Sequence, residues 1–151
     1  MYSHFDTESF EASITKYFVD MFVGYPVVFD EYAIDYDTMT NWIFIEFLGN
    51  NGQIVTMPPI NHIVVHLRSR GEDADMDMTE MTRIAITNLK DKMFDLYDLD
   101  DDVIVGKLRS VIIREFPKET ARQANTIRGF NRDILIQVTY GKVGVAYTAF
   151  L

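Results

Sequence analysis

The sequence contains no cysteine and no long apolar run. Its 151 residues include no Cys, which excludes disulfides, thiolate zinc sites, iron–sulfur clusters and cysteine nucleophiles and fits a reducing compartment. No apolar run approaches the roughly 18 residues of a membrane-spanning helix, so no membrane contact is expected. The first residues, MYSHFDTESFEAS, carry acids and no Lys or Arg, so no secretory signal is expected.

Positive charge is also scarce: 14 Lys and Arg stand against 23 Asp and Glu, giving a formal net charge of −9. A protein dedicated to duplex DNA is normally basic, because contacts with phosphates supply most of its affinity. Specific DNA binding is therefore not expected. The charge is uneven, since residues 72–102 hold 11 acids and three bases whereas residues 107–132 hold seven bases and two acids.

Apolar and aromatic residues are plentiful, with 48% hydrophobic residues that include 11 Phe, 8 Tyr and 8 Met. A chain of this length can bury roughly 70% of the surface of its unfolded form, so one core is expected. The length also fits one domain, covering residues 1–151.

Hydrophobic periodicity predicts two helices and a set of short strands. The helices are predicted over 8–23 and 78–97, the second after a loop at 71–78 with a capping box formed by Asp77 and Glu80. Strands are predicted over 25–29, 41–48, 54–57, 62–69, 103–116 and 134–140, with 145–150 as a further strand or an ordered tail.

The least regular segments follow the second helix. Segment 103–116 is predicted as one bent strand or two short ones, with a bulge at Gly106. Residues 117–131 show no sustained period, which predicts a long polar loop with space for a helical turn at 118–125. Asn51-Gly52 predicts a hairpin turn. The predicted class is α+β: a mixed or antiparallel sheet packed by two main helices, in a single domain with a long loop.

Motifs for common chemistry are absent, including phosphate loops, dinucleotide fingerprints and nucleophile elbows. His62 and His66 lie on a predicted strand, where residues four apart are separated by about 13 Å and cannot share one ion. Two acidic runs have the spacing of calcium ligands but lack the Gly and Glu of an EF-hand loop, which favours solvated charge over an adventitious or interface cation. The runs are Asp73, Asp75, Asp77 and Asp98, Asp100, Asp102. No catalytic residue, metal or cofactor is expected.

The basic stretch 107–132 allows three interpretations: a solvated loop, a contact with an acidic protein partner, or a nucleic-acid contact. An acidic segment followed by a basic one suits a head-to-tail contact, in which one patch of a subunit meets a different patch of the next. The residues of this hypothetical subunit interface are Asp98, Asp100, Asp101, Asp102, Arg109, Arg114, Lys118, Arg122, Arg128 and Arg132.

Two apolar stretches each leave two alternatives open. The stripe of the first helix, which includes Phe10, Ile14 and Phe18, belongs either to the core or to a subunit contact. The C-terminal VAYTAFL is apolar to its last residue, whereas chain ends usually fray. It is expected to be buried in its own sheet or against a neighbour.

The order of the segments resembles a known protein family. A first amphipathic helix is followed by the strands YPVVFDEY, NWIFIEFL and HIVVHLRSRGED, then by the helix MTEMTRIAITNLKDKMFDLYD, a long loop and the strand RDILIQVTYG. In element order, size and strand texture, residues 8–140 are similar to the tail terminator (tail-completion) proteins of long-tailed bacteriophages and to related neck proteins.

The resemblance implies a structural subunit without catalytic residues. Such subunits assemble as a ring, typically of six, which caps the tail tube and joins it to the head connector while DNA passes through without specific binding. The implied location is the virion neck, after assembly in the host cytoplasm.

Three alternatives remain open on the sequence alone. One is another head-completion or tail-tube protein, and one is a cytosolic small-ligand or regulatory domain with a deep apolar pocket. The last is an enzyme, which would need a cleft that gathers His62 or His66 with an acid such as Glu46.

Overall fold

The computed structural model describes residues 7–50, 61–98, 103–122 and 128–140. Two α-helices and seven strands lie in these ranges, with a short 3₁₀ turn at Glu31–Ala33. In chain order they are α1 (Thr7–Met21), β1 (Val27–Val28), β2 (Asn41–Asn50), β3 (Asn61–Arg70), α2 (Ala74–Leu89), β4 (Lys92–Tyr97), β5 (Ile104–Glu115), β6 (Glu119–Arg122) and β7 (Arg128–Tyr140).

All seven strands belong to one mixed sheet with the order β1-β2-β3-β7-β5-β4. β1 pairs with β2 in parallel and every other described pairing is antiparallel. One edge of β7 pairs with β3. Its other edge pairs first with β6, over 128–131, and then with β5, over 134–140. These features confirm the predicted α+β class.

Both helices pack on the same side of the sheet. Along β3, Ile63, Val65 and Leu67 are fully buried, while the residues between them are partly exposed. This alternation is that of a strand buried on one face, as predicted for 62–69. The apolar stripe of α1 joins the same core, so the core interpretation of Phe10, Ile14 and Phe18 is the observed one.

The helix predicted at 78–97 is wrong at both ends, since α2 begins at Ala74 and ends at Leu89. Asp73 is the N-cap residue and Asp77 lies within the helix, so the predicted capping box is absent. The C-cap residue Lys90 is extended, and Asp91 adopts a positive φ of 52° in the turn before β4. The apolar residues of β4 fit helical spacing as well as alternation, and pairing with β5 decides for the strand.

The long loop predicted at 117–131 is also wrong over most of its length. β6 and the start of β7 pair with each other there, and residues 123–127 lie outside the described part of the chain. A helical turn is excluded over 119–122, which are strand. These strands are polar, so no hydrophobic alternation marks them. The first residues of β7 also pair with β3, because the β3–β7 register runs from Arg70 to Asn61 of β3.

β5 is one continuous strand with two register shifts. The first lies next to Gly106, where Leu96 pairs with Gly106 but Tyr97 pairs with Ile104, which confirms the predicted bulge. The predicted strands 54–57 and 145–150 and the turn at Asn51-Gly52 lie outside the described residues.

The lengths and hydropathies of the helices bear on membrane insertion. Neither helix among the described residues combines the length and the apolar character required to cross a membrane. Together they supply 31 helical residues, 15 in α1 and 16 in α2. Both instead bury one face against the sheet.

Replacement of Ile63 by Ala tests this one-sided burial. We expect the free energy of unfolding to fall by about 2–5 kcal/mol, because the variant leaves a cavity between β3 and the helices. Val64→Ala on the same strand is the control, and it should cost clearly less because Val64 lies on the other face. Urea unfolding measures both, and equal losses would contradict the assignment of faces.

Candidate functional site

The side of the sheet that faces away from α1 and α2 is called the open face. Residues of β3 that point to it alternate with the buried Ile63, Val65 and Leu67. Among the described residues neither α1 nor α2 packs on this side, although Glu31 of the 3₁₀ turn, Ile34 and Tyr36 line a cleft at its β2 end. Among the residues on this face are Trp42, Phe44 and Glu46 on β2, Val64, His66 and Arg68 on β3, and Asn131, Asp133 and Leu135 on β7.

His66 lies at the centre of an ionic cluster on the open face. Its register partners are Phe44 on β2 and Asp133 on β7, so three adjacent strands bring these side chains together. The His66 Nε2 lies 2.8 Å from Glu46 Oε1, and Nδ1 lies 3.0 Å from Asp133 Oδ1. The imidazole ring also stacks on Phe44, with centroids 5.3 Å apart.

Carboxylates at both ring nitrogens favour the doubly protonated imidazolium, since carboxylates only accept hydrogen bonds. Burial of the ring acts to lower the pKa of His66, but the hydrogen bonds to Asp133 and Glu46 outweigh it, so the pKa is raised. Arg68 adds an ion pair of 2.8 Å between its Nη1 and Asp133 Oδ1. The cluster therefore joins β2, β3 and β7 through charge-assisted hydrogen bonds.

Asp133 is the shared acceptor of the cluster. Its burial acts to raise its pKa, but hydrogen bonds from His66 and Arg68 lower the pKa to about 2. The carboxylate is therefore ionised throughout the physiological range.

A cleft of about 640 Å³ borders the cluster. One wall is aromatic: the guanidinium of Arg70 lies 5.3 Å from the ring centroid of Trp42 and 6.0 Å from that of Tyr36. Glu31 and Ile34 also line the cleft, as do Gly129 and Asn131 of β7. The cleft is open to solvent, and its lining mixes aromatic and charged groups.

The cluster fulfils the geometric condition set for an enzyme, because His66 meets Glu46 in a cleft. Its chemistry argues against proton transfer to a substrate, since carboxylates already occupy both ring nitrogens. In the described part of the chain, no hydroxyl nucleophile bonds to His66. No group of three or more His, Asp or Glu side chains there is placed to hold one metal ion, and Glu46 and Asp133 lie at different nitrogens of the His66 ring. The arrangement is suited to holding strands together.

The basic residues of the hypothetical interface lie far apart. Arg109 pairs with Asp91 at 2.6 Å beyond the C-terminal end of α2, and Lys118 pairs with Asp75 in its first turn. The 16 residues of α2 span about 24 Å, so the two pairs do not form one patch. Each joins the basic segment to the acidic segment within one subunit, so part of the charge complementarity expected between subunits is satisfied internally.

Arg114 and Arg132 lie on opposite faces of the sheet. Arg114 pairs with Leu135 on the open face and its guanidinium lies 4.6 Å from the ring centroid of Phe116. Arg132 pairs with the buried Leu67 on the helix side, and its Nη2 lies 3.8 Å from Glu115 Oε1. The structure therefore does not gather these two side chains.

The remaining interface residues are described only in part. The backbone N–H of Asp98 donates to the carbonyl of Val103 at 2.8 Å. Arg122 and Arg128 are register partners where β6 meets β7. Asp100, Asp101 and Asp102 lie outside the described residues.

Sequence reasoning missed Asp133 as a member of the cluster. It lies 67 residues from His66 in the chain, and only the β3–β7 register brings the two together. A charged residue at the start of an apolar strand, next to ILIQV, was the available signal.

The comparison with known proteins gives no match, either to a protein-family model or to a curated protein. The resemblance to tail terminator proteins remains a prediction.

Replacement of His66 by Gln tests the imidazolium. The folded-state pKa of His66 is raised, so its stabilising contribution is fully present below about pH 6.5 and is lost as pH rises through the folded-state value. The wild type should lose stability over this window, and the variant should not. His62→Gln, on the same strand and face, is the control. If the His66 variant loses stability with rising pH as the wild type does, His66 is not the group whose protonation stabilises the fold.

Replacement of Asp133 by Asn tests the acidic side of the same cluster. The pKa of Asp133 is lowered from 3.8 to about 2, so its contribution is present above pH 3.8 and is lost as pH falls toward 2. We expect the variant to be less stable at neutral pH by about 1–3 kcal/mol, because His66 and Arg68 lose a charged partner. Its stability should also fall less steeply in acid. Thermal denaturation across this range gives the comparison, and parallel curves would count against the cluster.

Proposed function

We propose that this chain is a structural subunit of a long-tailed bacteriophage, a tail terminator or neck protein that assembles as a ring at the head–tail junction. The open face is the observation that supports an assembly role best. Among the described residues neither α1 nor α2 covers it, and it carries the partly exposed apolar residues Val64 and Leu135 beside Ile113, whose exposure is 51%. Half-exposed apolar side chains next to the exposed charges of Glu46 and Arg114 are suited to a contact with another protein.

The charges support the same proposal. The net charge of −9 would keep DNA from adhering to a subunit that borders a channel, so DNA would pass without specific binding. The proposed partners are copies of the chain itself, six in a ring, together with the tail tube and head-connector proteins. No membrane contact is proposed, and the proposed location is the virion neck after assembly in the host cytoplasm.

The cleft beside Trp42 is the observation that favours a second candidate, a small-ligand binding domain. That alternative requires a deep apolar pocket. The observed cleft is open and holds the charged groups of Glu31, Glu46 and Arg68. It fits that alternative less well than the open face fits an assembly role.

Particle imaging and sedimentation of the purified protein test the proposal. We expect closed rings, or rings that form when tail-tube or connector protein is added. If contacts between acidic and basic segments close the ring, about 1 M salt should weaken it, because charges are then screened beyond about 3 Å. Rings insensitive to salt would count against charge-driven pairing. A monomer that binds none of these proteins would contradict the proposed function.

A further inference from the structure

The open face has a regular arrangement of side chains across its four central strands. The paired register places Glu46, Val64, Leu135 and Arg114 in one row, on β2, β3, β7 and β5 respectively. The row therefore begins with an acid, ends with a base and is apolar between them.

The next row has the same kind of order. Phe44, His66 and Asp133 are register partners, and Phe116 follows, since its N–H donates to the Asp133 carbonyl at 3.0 Å. This row has an aromatic ring at each end, and between them lie the imidazolium of His66 and the carboxylate of Asp133. Each row is thus complementary to its own reverse.

We propose that the open face binds the open face of a second copy of this chain, about a two-fold axis parallel to the strands and midway between β3 and β7. Such an axis places each row of one copy opposite the same row of the other copy, with the order of the residues reversed. Glu46 then faces Arg114 of the second copy, and Val64 faces its Leu135. In the other row, Phe44 faces Phe116 of the second copy and His66 faces its Asp133.

The groups at the ends of the first row are accessible for such a contact. The side chain of Glu46 is 46% exposed, with one carboxylate oxygen bonded to His66. Arg114 is exposed and is held over the ring of Phe116. Stacking limits the freedom of the guanidinium, which reduces the entropy lost on pairing.

The size of the face predicts a weak contact. Strands of ten residues span about 33 Å and four strands span about 19 Å, which gives about 600 Å² on each copy. Stable complexes bury about 800 Å² per partner, so a reversible, concentration-dependent dimer is expected.

This inference deepens the proposed function, because it names the surface and symmetry of a self-contact. A two-fold contact joins identical patches, whereas a ring contact joins different ones. The ring would then be closed by other surfaces, such as the acidic and basic segments, and the open faces would join one ring to another.

Charge exchange between Glu46 and Arg114 provides the test, read by sedimentation velocity of the full chain over a concentration series. Arg114→Glu and Glu46→Lys should each weaken dimerisation by about tenfold or more, because each brings like charges together at two symmetric places. The double variant should recover to within about threefold of the wild type, because both pairs are restored with reversed sign.

Arg83→Glu is the matched control, since Arg83 is exposed on α2 on the other side of the sheet. It makes the same charge change and should leave dimerisation unaltered. The Glu46→Lys variant loses the hydrogen bond with His66 and its folding must be checked. If it does not fold, Ile113→Lys replaces it, because Ile113 is half exposed at the bulge beside Arg114. That variant should also weaken the dimer.

A wild type that stays monomeric at every concentration, or single variants that dimerise like the wild type, would overturn the proposal. If the protein forms rings or binds virion proteins but the Glu46 and Arg114 variants dimerise like the wild type, only the proposed two-fold contact is refuted. The expected charge-exchange pattern without rings or virion partners would refute the proposed function alone.

Discussion

The register between β3 and β7 is the constraint on which the rest of the structure depends. It sets Ile63 opposite Ile136 and Val65 opposite Ile134, all four of them buried beneath the helices. Because side chains alternate along a strand, a slip of one residue would turn this apolar set away from the core. Core burial therefore fixes the register strongly.

The same register creates the ionic cluster. Once Val65 faces Ile134, His66 must face Asp133 on the other side of the sheet. The cluster then holds β2, β3 and β7 together on the side of the sheet on which, in the described ranges, neither α1 nor α2 packs. Its partly buried charges are paired, with His66 and Arg68 both on Asp133, so the open face carries polar groups without leaving these charges uncompensated.

How far the sequence predicts the fold depends on where apolar residues are buried. β3 and α1 were predicted well, because a single face of each is buried and its periodicity is unambiguous. β4 was predicted as helix, because Leu89 and the apolar residues of β4 also match helical spacing. β6 and the start of β7 are polar strands paired through their backbone, so composition gives no sign of them.

The candidate site was predicted only in outline. His66 and Glu46 were recognised as residues whose meeting would matter, and β2–β3 pairing brings them together. Asp133 could not be assigned, because its place depends on a pairing between distant segments. The charged interface residues were chosen by their order along the chain, whereas folding distributes Arg114 and Arg132 to different faces.

The central claim is that the open face, and not the helix layer, is an assembly surface. Hydroxyl-radical footprinting of dilute and assembled protein tests it most directly. Oxidation of Phe44, Leu135 and Ile113 should fall on assembly, while that of Val19 and Met76, which are 50% and 74% exposed on the helices, should stay unchanged. Protection of Val19 and Met76 with no change at the open face would contradict the account.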